Sequence, residues 1–419
     1  MTEDPKLLWR LAALAVAALL LLGGIPAALP AAPRDRLTIG FVLPLTGVAA
    51  SEGNEVKDGA ELAARLLNDR GGLVAGGQAY QVALVFEDDK CSPQGAVDAA
   101  NRLVARGVDF VGGNFCSSAA LADQPIFAQA GIPQIFYAYT TALTAESRAK
   151  THAVLSVRLG PQAKTEMAPL AKYAVTVRHT TRFFALAQNT DFGRSMVAEF
   201  RAVLEKLGGH FVAEPEFYPF PQTTDYRTLL AKAKASGADA VLAMGLVGEM
   251  IGITLQSREL GLTQTLYGSD LPETLPYQQA VGAKAEGIVF PWIYDDGVDA
   301  RRFQRKQPER EAKAMSLAYL AAFHRRPPRN AAWGWGTVTL IAQAAERART
   351  VDRVAVARRI LSGEKFDLPF GTYGFLPCGQ ADMGVGVATY ESGPRKVLLT
   401  DRDFAWTPPV VLTRQALCP

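Results

Sequence analysis

At 419 residues the chain is longer than one ordinary domain and long enough for two. Hydrophobic residues make up 49% of the chain and charged residues 20%, which excludes wholesale disorder. The net charge is only +3, whereas a nucleic-acid partner would require a concentrated basic surface. The densest basic stretches are Arg301–Arg310 and Arg325–Arg329, which glutamate or proline interrupts, and we predict that both are solvated surface.

The N-terminus has the pattern of a secretory signal peptide. Lys6 and Arg10 form a short basic region, the uncharged apolar run Leu11–Leu22 follows, and small residues and prolines come next. This order predicts a signal peptide over residues 1–31, and the lack of a nearby cysteine predicts no lipid attachment. The alternative is an uncleaved anchor, because Leu7–Leu29 is long enough to reach across a bilayer of about 30 Å.

The chain contains four cysteines, at Cys91, Cys116, Cys378 and Cys418. A small, even number of cysteines in an exported chain is typical of two disulfides, and the spacings are not those of a zinc site. Of the three ways to pair them, we choose Cys91–Cys116 with Cys378–Cys418 as the predicted pairing.

From Arg36 onward, predicted strands alternate with predicted helices. In the first part, the strands are Leu37–Leu45, Gln81–Asp89, Val108–Gly113 and Ile132–Tyr137, and the helices are Val56–Leu67, Pro93–Ala105 and one from Ser117. After Gly160 the strands are Arg182–Gln188, His210–Tyr218, Asp239–Gly245, Thr265–Asp270 and Gly287–Trp292. The helices between them are Thr165–Val175, Arg194–Leu207, Tyr226–Ala235 and Glu249–Leu260. The chain then reads as helical to about Ser362, and the tail Pro369–Pro419 is rich in glycine and proline with short strands.

Strands separated by helices of this length predict parallel pairing with right-handed crossovers. We therefore predict an α/β protein with two doubly wound parallel-sheet lobes. Lobe 1 is residues 36–157 plus 291–371, and lobe 2 is residues 159–290 plus 372–419. Because ligands bind outside the carboxyl ends of strands in such sheets, the cleft between the lobes is the predicted binding site.

Sequence signatures of catalysis are missing from the chain. It has no GxxxxGK[ST] phosphate loop, no HExxH pair and no GxSxG elbow, and its four histidines are widely scattered. We predict a protein that is not an enzyme and uses neither a metal nor a cofactor.

The strongest local signal is GGNFCSSAA, residues Gly112–Ala120, where a strand ends and a helix begins. Ser117 and Ser118 are available there as N-cap and first-turn residues. Free backbone N–H groups at the positive end of a helix form an anion site, for which a carboxylate is a natural guest. The alternative is an ordinary helix cap.

Two further strand ends carry polar residues that could bind the rest of a ligand whose carboxylate lies at this helix end. FYAYTTA places Thr140 at the neighbouring sheet edge, and YGSD ends a strand of the second part with Asp270. A zwitterion would suit this arrangement, with its carboxylate on Ser117 and Thr140 and its ammonium on Asp270, because charge-assisted hydrogen bonds are strong. Alternatively, Asp270 is only a turn residue before Leu271.

Several segments together resemble the leucine/isoleucine/valine-binding proteins of bacterial ABC importers, which have the type I periplasmic-binding fold. The segments are TIGFVLPLTGVAASEGNEVKDGAELAARLLNDRGG, EDDKCSP, GGNFCSSA, YAYTTALT, NTDFGRS and YGSD, spread over about Arg36–Ser362. The resemblance implies a first disulfide at Cys91–Cys116, a three-segment hinge and closure of the lobes on an amino acid. It also implies a location in the periplasm and a partner permease in the inner membrane.

The resemblance also implies which residues hold the ligand. It assigns the carboxylate to Ser117 and Thr140, and the ammonium to the Ala138 carbonyl, Thr140 and Asp270. The positions that match the side-chain pocket are Glu52, Phe192, Leu246 or Val247, and Trp333.

This sequence departs from the family pattern at several of these positions. Glu52 replaces a frequent aromatic residue, Phe192 replaces tyrosine, Asp270 replaces a longer glutamate, and Tyr139 is bulkier than expected beside the anion site. Carboxylate capture is retained, with a branched-chain, hydrophobic or aromatic amino acid as the expected ligand. The alternatives are an aromatic carboxylate, an amide or urea-type solute, or a ligand-sensing receptor module.

Overall fold

The computed structural model describes residues 35–143, 155–294, 310–391 and 396–399. The predicted signal peptide, most of Arg301–Arg310 and Cys418 lie outside the described residues.

The first sheet has six strands in the order β2-β3-β1-β4-β5-β6. They are β1 (Arg36–Leu43), β2 (Leu73–Ala75), β3 (Gln78–Asp88), β4 (Phe110–Gly113), β5 (Gln134–Phe136) and β6 (Val157–Arg158). All neighbours are parallel except β2, which forms a hairpin with β3. The helices that connect these strands are α1 (Ala50–Asp69), α2 (Pro93–Ala105) and α3 (Ser117–Gln129).

Both faces of this sheet are buried, as the almost unbroken apolar run of β1 requires. Successive side chains point to opposite faces, so Phe41 packs in one core cluster and Val42 in another. The N-terminus of α2 is capped by Ser92, whose Oγ accepts a hydrogen bond from the Gly95 N–H at 3.1 Å.

The second sheet is built from the next part of the chain. Its strands are β7 (Arg182–Gln188), β8 (His210–Phe211), β9 (Glu216–Tyr218), β10 (Ala240–Met244), β11 (Thr265–Gly268) and β12 (Val289–Trp292). These strands pair in parallel. The accompanying helices are α4 (Ala163–Thr176), α5 (Asp191–Lys206), α6 (Arg227–Ala235), α7 (Val247–Glu259) and α8 (Leu275–Val281).

The last part of the chain packs helices on the first part and adds two strands to the second sheet. It contains the helices α9 (Arg310–Phe323), α10 (Arg329–Ala348) and α11 (Arg353–Ile360), and then the hairpin of β13 (Phe366–Leu368) and β14 (Gly371–Tyr373). Helix α10 packs across α1, and two glycines lie at the crossing, Gly59 and Gly334. The strands β15 (Gly386–Thr389) and β16 (Lys396–Leu399) extend the second sheet, with β15 antiparallel to β12.

The predicted alternation of strands and helices is confirmed, and α2 and β7 have the predicted bounds. One predicted strand is wrong, because His210–Tyr218 forms two short strands, β8 and β9, which both pair with β7. The helix predicted from Arg194 begins earlier, at Asp191, because Thr190 caps it through a hydrogen bond from the Gly193 N–H at 3.3 Å.

Candidate functional site

A pocket of about 560 Å³, including the part open to solvent, lies at the carboxyl ends of strands from both sheets. This is the edge where open α/β sheets bind ligands. The residues that line it are Cys91, Phe115, Cys116, Ser117, Ser118, Tyr137, Tyr139, Gln188, Thr190, Phe192, Phe220, Leu246, Asp270, Leu271, Arg329 and Trp333.

The pocket brings together most of the residues that the sequence indicates. Those that line it are Ser117, Tyr139, Phe192, Leu246, Asp270 and Trp333. Ala138 and Thr140 flank Tyr139 in the sequence and are buried, but they are not among the residues that line the pocket. Glu52 is buried in α1, where its Oε1 accepts a hydrogen bond from the Val247 N–H, 3.4 Å away at the start of α7.

The first turn of α3 opens into the pocket. Its N-cap is Cys116, which makes no side-chain cap, so the expectation that a serine caps this helix is wrong. Ser117 is the first helical residue, and its Oγ accepts a hydrogen bond from the Thr140 N–H at 3.3 Å. Without a side-chain cap, the positive end of the helix is available to an anion.

The predicted disulfide between Cys91 and Cys116 is confirmed. It ties the loop after β3 to the N-cap of α3, and both cysteines line the pocket. Cys378 is also disulfide-bonded. Because Cys418 lies outside the described residues, the pairing Cys378–Cys418 stays a prediction.

Aromatic rings form an apolar wall of the pocket. Trp333 stacks on Tyr137 with 5.7 Å between ring centroids, and on Phe370 with 3.7 Å. Tyr139 and Phe192 lie 6.1 Å apart in a tilted arrangement. Such a wall suits the apolar body of a ligand, because aromatic rings bury a large area and pack in defined geometries.

Arg329 is a pocket residue that sequence reasoning missed. The prediction that Arg325–Arg329 is solvated surface is wrong for Arg329, which is only 2% exposed and forms an ion pair with Asp270. The Asp270 Oδ2 atom also accepts a hydrogen bond from the Tyr139 hydroxyl at 2.7 Å. Helix α10 begins at Arg329 and packs on α1, so this side chain lies inside while Arg325 remains exposed.

Buried acids surround this ion pair. Burial raises the pKa of Glu52, and raises the pKa of Glu55 to about 7 and that of Glu166 to about 8. The positive charge of Arg329 opposes the effect in all three. Burial also lowers the pKa of Arg158 to about 9, although this guanidinium donates a hydrogen bond to the Thr140 carbonyl at 2.5 Å.

The pKa of Glu166 predicts a pH dependence of stability. The folded state holds a proton that the unfolded chain, with an ordinary pKa of 4.5, releases, so this contribution is lost as pH rises from about 4.5 to 8. Glu166→Gln, which mimics the protonated acid, should therefore gain on the order of 5 kcal/mol over the wild type between those pH values. Urea unfolding at both pH values measures this difference. The exposed Glu205→Gln is the control, and parallel pH profiles for Glu166→Gln and the wild type would contradict the assignment.

Hydrogen bonds join the elements of the first sheet to those of the second around the pocket. The Ser118 hydroxyl donates to Asp191 Oδ2 at 2.7 Å, and the Thr140 and Ser195 hydroxyls lie 2.8 Å apart. With the Arg329–Asp270 pair, these contacts hold the two sides together over the pocket.

The described ranges contain neither a helix that could span a membrane nor a cluster of metal-binding side chains. Within residues 35–143, 155–294, 310–391 and 396–399, none of the helices combines the length and apolarity needed to cross a bilayer. The same ranges contain no group of three histidine, cysteine, aspartate or glutamate side chains placed to hold a metal ion.

Comparison with known proteins identifies the family. The model of a family described as periplasmic binding protein matches residues 36–394. The chain belongs to this family. Its members are the solute-binding proteins of ABC transporters and bind small molecules without catalysis.

Relatives and structural neighbours of this periplasmic binding protein have several ligands in their names. The Brucella melitensis protein called Leu/Ile/Val-binding protein homolog 3 is 26% identical over 82% of this chain and 88% of its own length. A leucine-binding protein from Thermotoga maritima matches with a TM-score of 0.75 at 22% identity, over 87% of this chain and 98% of its own. A solute-binding protein of R. palustris in complex with benzoate matches with a TM-score of 0.76 at 20% identity, over 87% and 96%. These structural similarities confirm the type I periplasmic-binding fold.

Proposed function

We propose that this protein binds a small carboxylate with an apolar or aromatic body and delivers it to the permease of an ABC importer. The observation that carries this proposal is the first turn of α3, which has no side-chain cap and opens into the pocket at Ser117 and Ser118. An anion there meets free backbone N–H groups, the Ser117 hydroxyl and the positive end of the helix. The aromatic wall around Trp333 and Phe192 lies in the same pocket and suits the apolar part of the ligand.

An amino acid of branched-chain, hydrophobic or aromatic type is the first candidate ligand. The names of the relatives support it, and Asp270 lies in the pocket where the resemblance expects the acid that receives the ammonium. In this arrangement the carboxylate binds Ser117 and Thr140, and the ammonium binds the Ala138 carbonyl, Thr140 and Asp270. Leu246, which lines the pocket, would then border the side chain.

An aromatic carboxylate is the second candidate. The ion pair of Asp270 with Arg329 favours it, because this acid already has a cation beside it. The R. palustris neighbour with bound benzoate shows that the fold accommodates such a ligand.

The proposed mechanism is closure of two lobes around the ligand. Lobe 1 is residues 36–157 plus 291–371, lobe 2 is residues 159–290 plus 372–419, and three crossings of the chain form the hinge. Residues 1–31 serve as the signal peptide that directs the protein to the periplasm. Closure of such a hinge buries the ligand and presents one closed surface to the permease.

Thermal unfolding against a ligand panel tests the proposal. The panel contains L-amino acids, aromatic carboxylates and the matching amides. A ligand at 100 times its dissociation constant stabilises the folded state by about 2.7 kcal/mol, so a true ligand raises the melting temperature clearly. Stabilisation by carboxylates and not by their amides is the expected result. An unchanged melting temperature with every ligand of the panel would contradict the proposal and favour a sensory module or another ligand class.

Ser117→Ala is expected to weaken every carboxylate ligand of the panel. The loss of one hydrogen bond to a charged group costs about 1.5–3 kcal/mol, which is a factor of roughly 10–150 in the dissociation constant. Isothermal titration calorimetry measures this factor. Ser362→Ala, at an exposed serine after α11, is the control, and an equal affinity of Ser117→Ala and wild type would remove Ser117 from carboxylate binding.

A further inference from the structure

The acid expected to receive a ligand ammonium already has an internal cation. Arg329 and Asp270 both line the pocket, both are buried, and the Arg329 Nη1 atom pairs with Asp270 Oδ2. The same oxygen accepts the hydrogen bond from the Tyr139 hydroxyl at 2.7 Å. One side of the Asp270 carboxylate is therefore engaged by a cation and by a hydroxyl that both belong to the protein.

Contacts away from the pocket hold Arg329 in this position. Its Nη2 atom donates to Asn330 Oδ1 at 3.3 Å, and Asn330 Nδ2 donates in turn to Glu55 Oε2 at 2.8 Å. Arg329 is also the first residue of α10, so its backbone is fixed by the packing of that helix on α1. Moving the side chain out of the pocket would leave the buried Asp270 carboxylate without a cation, which is costly.

We infer that Arg329 takes the place of the ligand's ammonium, and that the site selects carboxylates without an α-ammonium group. The inference rests on the carboxylate capture proposed above. An ammonium placed against Asp270 would lie beside the guanidinium, and two like charges repel strongly in a partly buried site. A carboxylate without an amine brings one negative charge to the positive end of α3 and meets an Asp270–Arg329 pair that is already neutral.

Matched pairs of ligands test the inference on the wild-type protein. The pairs are 4-methylpentanoate with L-leucine and 3-phenylpropanoate with L-phenylalanine, which differ only in the α-ammonium. Titration calorimetry is expected to show at least tenfold tighter binding of the acid that lacks the ammonium in any pair that binds. Equal binding, or tighter binding of the amino acid, would overturn the inference while leaving carboxylate capture intact. If none of the four ligands binds and no ligand of the wider panel raises the melting temperature, the proposed function itself would be wrong.

Arg329→Met should change this preference. The variant leaves Asp270 without its internal cation, so the ratio of the two dissociation constants is expected to shift toward the amino acid by at least tenfold. Arg227→Met is the control, because Arg227 is exposed on α6, pairs with Asp225 and Glu259, and should leave the ratio unchanged. An unchanged ratio in Arg329→Met would overturn the inference. If Arg329→Met does not fold, the ratio of the two dissociation constants measured for the wild type tests the inference by itself.

Discussion

Gly334→Ala is expected to lower the free energy of unfolding by about 3 kcal/mol, because α10 and α1 touch at this residue. A Cβ atom at Gly334 would lie 1.8 Å from the Val56 carbonyl oxygen, and one at Gly59 would lie 1.9 Å from the Ala331 carbonyl oxygen. Both obstacles are backbone atoms, so relief requires the two helices to move apart. In an open helix position the same change stabilises by about 0.5–1 kcal/mol, because alanine loses less backbone entropy than glycine.

Urea unfolding of Gly334→Ala and of Gly248→Ala separates the two effects. Gly248 is an exposed residue of α7, and a Cβ atom there would meet no atom within 4 Å. Gly248→Ala is therefore expected to be neutral or stabilising by up to about 1 kcal/mol. A stabilised Gly334→Ala would show that α1 and α10 are not in contact at this point.

The double variant Cys91→Ala/Cys116→Ala is expected to lose about 3 kcal/mol of stability. The disulfide links residues 25 positions apart, and closing a loop of this length restricts the unfolded chain by about that amount. The same variant should bind carboxylates more weakly, because the disulfide anchors the N-cap of α3 at the pocket.

Urea unfolding of this variant and of the wild type, both without reductant, measures the effect and leaves any other disulfide intact. An unchanged unfolding midpoint would show that the link contributes nothing to stability. Unchanged carboxylate affinity would show that α3 holds its position by packing alone.

Most of the fold could be predicted because its signals are local. Helix α2 has its predicted bounds since Ser92 and Pro93 mark its start, and β7 has its predicted bounds since its apolar run is clear. The error at His210–Tyr218 arose because the pattern of β-forming residues continues through a stretch where the chain leaves the sheet and returns. No local signal marks such a break.

The candidate site could be predicted only where residues follow strand ends or match a family motif. Ser117, Tyr139 and Asp270 follow strands, so topology places them at one edge of each sheet. Arg329 escaped this reasoning because RRPPR looks like exposed surface, and Arg325 is indeed exposed. The burial of Arg329 depends on the packing of α10 on α1 and on Asp270, which is distant in sequence.

The late return of the chain has a consequence for the order in which the molecule can form. Helix α10 covers α1, and β15 closes the flank of β12, yet both come from the C-terminal part of the chain. A fragment ending after β12 would expose the apolar face of α1 and an open sheet edge, which invites association with other chains. Neither the first sheet with its helices nor the second sheet is therefore a self-sufficient folding unit. Both reach their final packing only after the last quarter of the chain has been synthesised.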